Sequence, residues 1–193
     1  MKKLYMKIHN MNHQQDRSIF FCFEINNYRL GNLLMKKGNI SAKDINRVFT
    51  FCKVKITDQM LKNMLAIDRL VFNDLSKYTI KSQEYIQNIG TYRGNIKIPG
   101  VYIWTPLSTG DMYVGSSSKL GYFNGTHKPV GKFIPFLQLE GLSKFKLEII
   151  PLKENYFVNQ ELALEQYYLL HPEYNLNTLR IVNDFSGARS KAL

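Results

Sequence analysis

The chain has 193 residues, 45% of them hydrophobic, and a formal net charge of +11 at pH 7. This length predicts one or two globular domains, and because no run of about 18 apolar residues occurs, no membrane-spanning helix is expected. Polar residues interrupt the basic N-terminus early, which argues against a secretory signal peptide. The charge indicates a polyanionic partner, most simply nucleic acid, although a basic surface that serves only solubility is the alternative.

The positive charge lies mainly in the first half of the chain. Residues 1–96 hold 16 basic and 7 acidic side chains, a net charge of +9, whereas residues 97–193 hold 10 and 8, a net charge of +2. The first half is therefore the better candidate for contacts with phosphates. Cys22 and Cys52 are far apart and have no histidine at metal-ligand spacing, so no zinc site is predicted and a reducing compartment is expected.

The first half is predicted to be mainly helical after a polar arm over residues 1–17. Residues 18–30 fit a strand or a buried helical turn, and the pattern does not decide between them. A helix is predicted over residues 41–53, where Ser41 and Asp44 form a capping box with Asp in place of the usual Glu.

The apolar stripe of this helix leaves Lys43 and Arg47 on other faces, as candidate contacts to nucleic acid. A second helix is predicted to begin at Thr57, and its pattern allows it to extend through Leu75. Residues 88–99 are rich in Gly, Asn and Pro, which predicts a linker and a domain boundary near residue 95.

Two tyrosine-bearing segments, at Tyr102 and Tyr113, dominate the second half. Each is apolar and rich in aromatic and β-branched residues, and ten residues lie between the tyrosines. The intervening run around Gly110 has the composition of a turn. This pattern predicts an antiparallel hairpin that presents two tyrosine hydroxyls.

Three further elements are predicted after the hairpin. The patterns indicate a helix over Val130 to Leu139, a strand over Lys144 to Ile150, and a helix that starts at Asn159 or Gln160 and runs through Leu170. Glu165 stands in an apolar run of the last helix. Such a carboxylate can be a metal ligand, an acid with a shifted pKa or a solvated residue.

The order of these elements resembles that of the GIY-YIG nuclease family, and most closely the mitochondrial intron-encoded GIY-YIG homing endonucleases of fungi and algae. The matching segments cover about residues 96–180: Gly100-Val101-Tyr102, Tyr113-Val114-Gly115-Ser116-Ser117, residues 124–132, residues 142–148, Leu164-Glu165-Gln166-Tyr167-Tyr168-Leu169 and Tyr174-Asn175-Leu176-Asn177.

This resemblance implies an α/β (α+β) fold with a three-stranded antiparallel sheet flanked by helices. The chain is then divided into a basic, mainly helical nucleic-acid-contacting region over residues 1–95, the GIY-YIG domain over 96–180 and a tail over 181–193. These endonucleases often continue into DNA-reading helices. Here that module is expected to be absent or to lie in the basic first half.

The resemblance also implies hydrolysis of a DNA phosphodiester bond with one magnesium ion. By this carry-over, Glu165 holds the metal, Tyr102 activates the attacking water, Tyr113 places the water or phosphate, and Asn175 braces the site. An ordinary tyrosine has a pKa of about 10, so Tyr102 can act as a base only beside positive charge.

One departure from the family is a missing arginine, which in the family clamps the phosphate from the helix after the second motif. No arginine occurs between Arg93 and Arg180, and the chain is several residues short after Leu120. Nearby side chains that could replace its positive charge or contact nucleic acid are Lys119, His127, Lys128 and Lys132. They lack the planar, bidentate guanidinium group of arginine. Losing such a donor typically costs on the order of 100- to 1000-fold in rate.

Three functions stay open at this point. The first is an impaired or inactive endonuclease kept as a nucleic-acid-binding protein, for instance a structural RNA-binding subunit of a mitochondrial ribosome beside other ribosomal proteins. The second is an active magnesium-dependent homing endonuclease that acts on DNA. The third is a protein-interaction module whose binding would not depend on salt. For the first two, the resemblance implies location in the mitochondrial matrix, with the protein encoded in the organelle as one option, and no membrane contact.

Overall fold

The computed structural model describes residues 29–49, 55–76, 98–118, 120 and 133–182, and these form a mixed α/β structure. The strands are β1 Leu70–Phe72, β2 Gly100–Pro106, β3 Tyr113–Ser117 and β4 Phe145–Pro151. The helices are α1 over residues 29–35, α2 Ala42–Val48, α3 Asp58–Leu65, α4 Phe133–Glu140 and α5 Gln160–Leu169, with a 3-10 turn at Leu142–Lys144. The predicted fold class is thereby confirmed.

The four strands form one antiparallel sheet in the order β1-β4-β2-β3. The predicted count of three strands is wrong, because β1 adds a fourth strand from the N-terminal half. The predicted extension of the second helix through Leu75 is also wrong. Helix α3 ends at Leu65, and Val71 instead pairs with Glu148 of β4. The backbone hydrogen bonds of the sheet outweigh a helical pattern that is only locally favourable.

The predicted hairpin is formed by β2 and β3, with Tyr102 opposite Gly115 and Trp104 opposite Tyr113. Gly110 in the connection has a φ of +74°, a conformation that glycine adopts without strain. Because side chains alternate along a strand, this register places both tyrosines on the same face of the sheet.

The other predicted elements of the second half are confirmed within the described residues. Strand β4 places Phe145, Leu147 and Ile149 on one buried face. Helix α4 is followed by Gly141, with a φ of +79°, as expected at the end of a helix. Helix α5 begins after Asn159 and carries the predicted glutamate.

In the first half, the two predicted helix starts are confirmed. Ser41 caps α2, and its side chain and that of Asp44 form the predicted capping box. Thr57 caps α3 through a hydrogen bond from the amide of Met60. Of the ambiguous segment 18–30, residues 29 and 30 belong to α1, whereas residues 18–28, the arm over 1–17, Cys22 and Cys52 lie outside the described residues.

Two hydrophobic cores cover the two faces of the sheet. On one face, Val101, Ile103 and Val114 share a core with residues of α2, α3 and α5. On the other face, Trp104 and Phe145 pack with α4. Residues 29–76 thus contribute to the same core and the same sheet as residues 98–182. The predicted boundary near residue 95 lies outside the described residues, so the division into domains stays a prediction.

Arg69, which the sequence analysis did not single out, links the start of β1 to the rest of the sheet. Its guanidinium donates to the Glu148 carboxylate at 2.8 Å and to the Tyr168 hydroxyl of α5 at 3.1 Å. Lys146 donates to the other Glu148 oxygen at 2.6 Å. This network holds the helical first half against β4 and α5. Among the described residues, no helix is long and apolar enough to cross a bilayer.

Candidate functional site

The two predicted catalytic tyrosines lie together on one face of the hairpin. The ring centroids of Tyr102 and Tyr113 are 6.4 Å apart, and the Tyr102 hydroxyl donates a hydrogen bond to the Tyr113 hydroxyl. The Tyr102 ring lies over Gly115, where a Cβ would overlap the phenol group. The close approach of the Tyr102 ring to the backbone of β3 therefore requires glycine at position 115.

Helix α4 covers the second tyrosine with an aromatic side chain. The Phe133 ring stacks on Tyr113 with centroids 4.1 Å apart and an interplanar angle of 6°. Trp104 and Phe145 extend this aromatic cluster, at 5.9 Å and 6.2 Å from Phe133. The tyrosines therefore form part of a hydrophobic layer between the sheet and α4.

Glu165 approaches the same strand from the other side of the sheet. Helix α5 packs on the opposite face, and Ser116 donates a hydrogen bond of 2.5 Å from Oγ to the Glu165 carboxylate. Ser116 follows Gly115 in β3, so its side chain points away from the tyrosine face. The tyrosines and the glutamate thus flank one strand.

Burial raises the pKa of Glu165 to about 7. The hydrogen bond from Ser116 acts against this increase, and the nearby carboxylate of Glu161, one helical turn earlier, adds to it. At neutral pH the protonated and charged forms of Glu165 are therefore present in comparable amounts.

The pKa values of both tyrosines are also raised. Burial is the main cause, and it raises the pKa of Tyr113 to about 12 with the help of the negative charge on Glu165. The pKa of Tyr102 lies well above its ordinary value, because of burial, the neighbouring Tyr113 and Glu165. Among the described residues, the charge that acts on both phenols is thus negative, the opposite of what a tyrosine base requires.

The described part of the site offers few groups for a metal ion. Within the described residues, no three His, Cys, Asp or Glu side chains come close enough to hold one. Magnesium usually takes one or two protein carboxylates and keeps water and phosphate oxygens as its other ligands. Glu165 of α5, beside Ser116 of β3, fits this limited requirement, and a magnesium ion there would polarise a bound phosphate.

Asn175, the predicted bracing residue, is exposed and donates a hydrogen bond to the Asp111 carboxylate in the hairpin connection. Asn177 binds β3 directly, which the sequence analysis missed. Its side-chain amide donates to the Val114 carbonyl and accepts from the Val114 amide, each at 2.8 Å. Asn177 therefore acts like an added strand residue along the outer edge of β3. The Tyr-Asn-Leu-Asn sequence offered both asparagines, and only the fold distinguishes them.

The predicted phosphate contacts fall into two groups. Lys119, His127, Lys128 and Lys132 lie outside the described residues. Lys43 and Arg47 are exposed on α2. Helices α2, α3 and α5 pack on the sheet face that carries Val101 and Val114, and we call these three helices the helical layer. The two cations therefore lie in the helical layer and not beside the tyrosine rings, which pack on the other face.

Comparison with known proteins gives no match: no protein-family model matches the sequence, and neither does any curated protein or solved structure. The functional interpretation depends on the motifs and on the geometry described above.

Proposed function

We propose that this chain is a nucleic-acid-binding protein derived from a GIY-YIG homing endonuclease, in which cleavage is impaired or lost. The observation that carries the proposal is the state of the two tyrosines. Both side chains are partly buried, and their hydroxyls are bonded to each other and lie near the negative charge of Glu165, while Phe133 covers Tyr113.

This environment disfavours the chemistry that the family resemblance implies. A general base works best when its pKa lies near the operating pH. The pKa of Tyr102, the base that the resemblance implies, lies well above its ordinary value, so this phenol holds its proton at neutral pH. The missing arginine removes the group that would stabilise charge on the phosphate, since no arginine lies between Arg93 and Arg180.

The charge distribution supports binding. The net charge of +11 is concentrated in the first half of the chain, and contacts from Lys and Arg to phosphates do not depend on sequence or on the type of sugar. A domain that once bound DNA phosphates can therefore bind RNA. The more specific form of the proposal is a structural RNA-binding subunit of a mitochondrial ribosome in the matrix, in contact with other ribosomal proteins.

The alternative is an active magnesium-dependent homing endonuclease. It is favoured by one specific observation: the Ser116–Glu165 pair and both tyrosines flank the same strand. In this case Glu165 would hold magnesium and a cation near the tyrosines would lower their pKa values.

Cleavage and binding assays with the purified full chain separate the two proposals. Supercoiled plasmid DNA and structured RNA are incubated with magnesium, and binding is measured by fluorescence anisotropy at low and high salt. We expect salt-dependent binding without magnesium-dependent cleavage. Cleavage that is lost in Glu165→Ala would establish the endonuclease and refute the main proposal. Absence of binding at low salt would refute both.

Sequencing of the nucleic acid crosslinked to the native protein tests the more specific form. Ribosomal RNA at one discrete position is expected if the protein is a ribosomal subunit. A single DNA locus would instead support the endonuclease.

A further inference from the structure

The structure points to a phosphate-docking surface on the outward face of α2, formed by Lys43 and Arg47, in the helical layer on the side of the sheet away from the tyrosines. We propose that the backbone of the bound nucleic acid lies across this face. The inference depends on the proposed nucleic-acid binding and specifies the surface at which the nucleic acid binds.

All the charge that α2 presents to solvent is positive. The two exposed side chains of the helix are Lys43 and Arg47, one turn apart, whereas Ala42, Asp44, Ile45 and Val48 are buried. Residues four positions apart lie about 6 Å apart along a helix, so both cations project from the same side and can reach phosphates of one strand.

The one acidic side chain of α2, Asp44, is buried and its charge is paired. Asp44 accepts hydrogen bonds from the Ser41 hydroxyl at 2.7 Å and the Ser41 amide at 3.0 Å, and it forms a 2.6 Å ion pair with Lys37. Its carboxylate is therefore occupied by these groups and does not counter the charge of Lys43 and Arg47. The exposed charges that α2 itself carries are thus both positive, although the exposed Asp58 carboxylate of α3 lies at its first turn.

Hydrogen bonds to the neighbouring segment fix the orientation of α2. Asp58 of α3 accepts a hydrogen bond from the Ala42 amide at 3.1 Å. The Asn46 amide donates to the Ile56 carbonyl at 2.8 Å and accepts from the Ile56 amide at 2.9 Å. A surface held in this way loses little conformational freedom when a partner binds, which favours affinity.

Helix α2 and the two tyrosines lie on opposite faces of the sheet. Ile45 and Val48 belong to the core that includes Val101 and Val114, on the face of the sheet that α5 covers. The tyrosine rings pack with the other core, against Phe133. Nucleic acid held on α2 would consequently lie on the face of the sheet opposite the tyrosine rings.

The test compares two double variants of the full chain that each remove two exposed positive charges. In Lys43→Ala/Arg47→Ala the charges come from α2, and in the matched control Lys144→Ala/Lys153→Ala they come from exposed positions just before and just after β4. Labelled RNA duplex, DNA duplex and single-stranded RNA are titrated by anisotropy between about 50 and 200 mM salt. Circular dichroism confirms that both variants fold.

We expect the α2 variant to bind more weakly, on the order of tenfold per lost contact near 0.1 M salt, and its salt slope on a duplex to be shallower by about 1.8. The control is expected to change binding less than twofold. The duplex arms show whether the backbone is that of RNA or DNA.

Two results would overturn the inference: equal losses in the α2 variant and the control, or unaltered binding by the α2 variant. Each of these results can be obtained only if the unaltered chain binds at least one of the nucleic-acid probes. Failure of the unaltered chain to bind any of the three probes would instead overturn the proposed function itself.

Discussion

Protonation of Asp44 is expected to destabilise the helical layer, and the size of the effect follows from its contacts. Burial of this carboxyl favours the neutral form, but Lys37 and the hydroxyl and amide of Ser41 outweigh burial and lower the pKa from 3.8 to about 2. One pKa unit corresponds to about 1.4 kcal/mol, so the charged carboxylate contributes roughly 2 kcal/mol to the free energy of unfolding.

The sign of the pH dependence follows from the lowered pKa. Because the folded state binds the proton less tightly than the unfolded state, the contribution is fully present above pH 3.8 and is lost as the pH falls through about 2. Asp44→Asn removes the titrating group. Its free energy of unfolding is expected to lie about 2 kcal/mol below that of the unaltered chain at pH 5, and the difference is expected to vanish near pH 2.

Urea denaturation at a series of pH values measures this difference directly. Lys37→Ala serves as a second variant, because it keeps the carboxyl but removes its 2.6 Å ion pair. Lys37 is half-exposed, so we expect it to reduce the pH-dependent difference only in part. If the stabilities of the Asp44→Asn variant and the unaltered chain stay parallel from pH 5 to pH 2, the capping network does not hold the carboxylate as described.

Three further predictions concern the candidate site. Gly115→Ala is expected to destabilise the fold by about 1–3 kcal/mol, because its Cβ would overlap the overlying tyrosine ring; stability equal to that of the unaltered chain in urea would contradict this packing. Asn177→Ala is expected to lower the free energy of unfolding by about 1–3 kcal/mol, since both Val114 backbone groups lose a partner. Asn175→Ala, at an exposed side chain, is expected to lower it by less than about 1 kcal/mol. Urea denaturation of the two variants ranks them. Glu165→Gln is expected to lower the pKa of the Tyr113 phenol, now raised to about 12, because a negative charge is removed. Ultraviolet titration of the phenols measures it, and an unchanged alkaline transition would show that the carboxylate does not act on this tyrosine.

The alkaline behaviour of the fold has a definite sign as well. The pKa of Tyr113 is raised in the folded state, from 10.0 to about 12, so the folded state holds the proton more tightly than the unfolded state. Stability is therefore expected to fall as the pH rises from about 10 through 12. Glu165→Gln is expected to weaken this loss.

Local sequence signals predicted the elements whose stabilising contacts are close in the chain. The capping box of α2 joins Ser41 to a residue three positions later, and the alternation of Phe145, Leu147 and Ile149 fixes one face of β4. The hairpin needs only two strands joined by a short connection. In each case the sequence contains both partners of the interaction within a few residues, so the pattern is sufficient.

The sequence by itself determined the fold class, the hairpin with its two tyrosines, and the charge that suggests a polyanionic partner. Only the tertiary structure decided that residues 70–72 form a strand, because the pairing of Val71 with Glu148 joins distant segments. It likewise selected Asn177 over Asn175 to bind β3, and set the tyrosines and Glu165 on opposite sides of that strand. These outcomes depend on pairing and burial between segments far apart in the chain, and such contacts leave no periodic signal in either segment alone.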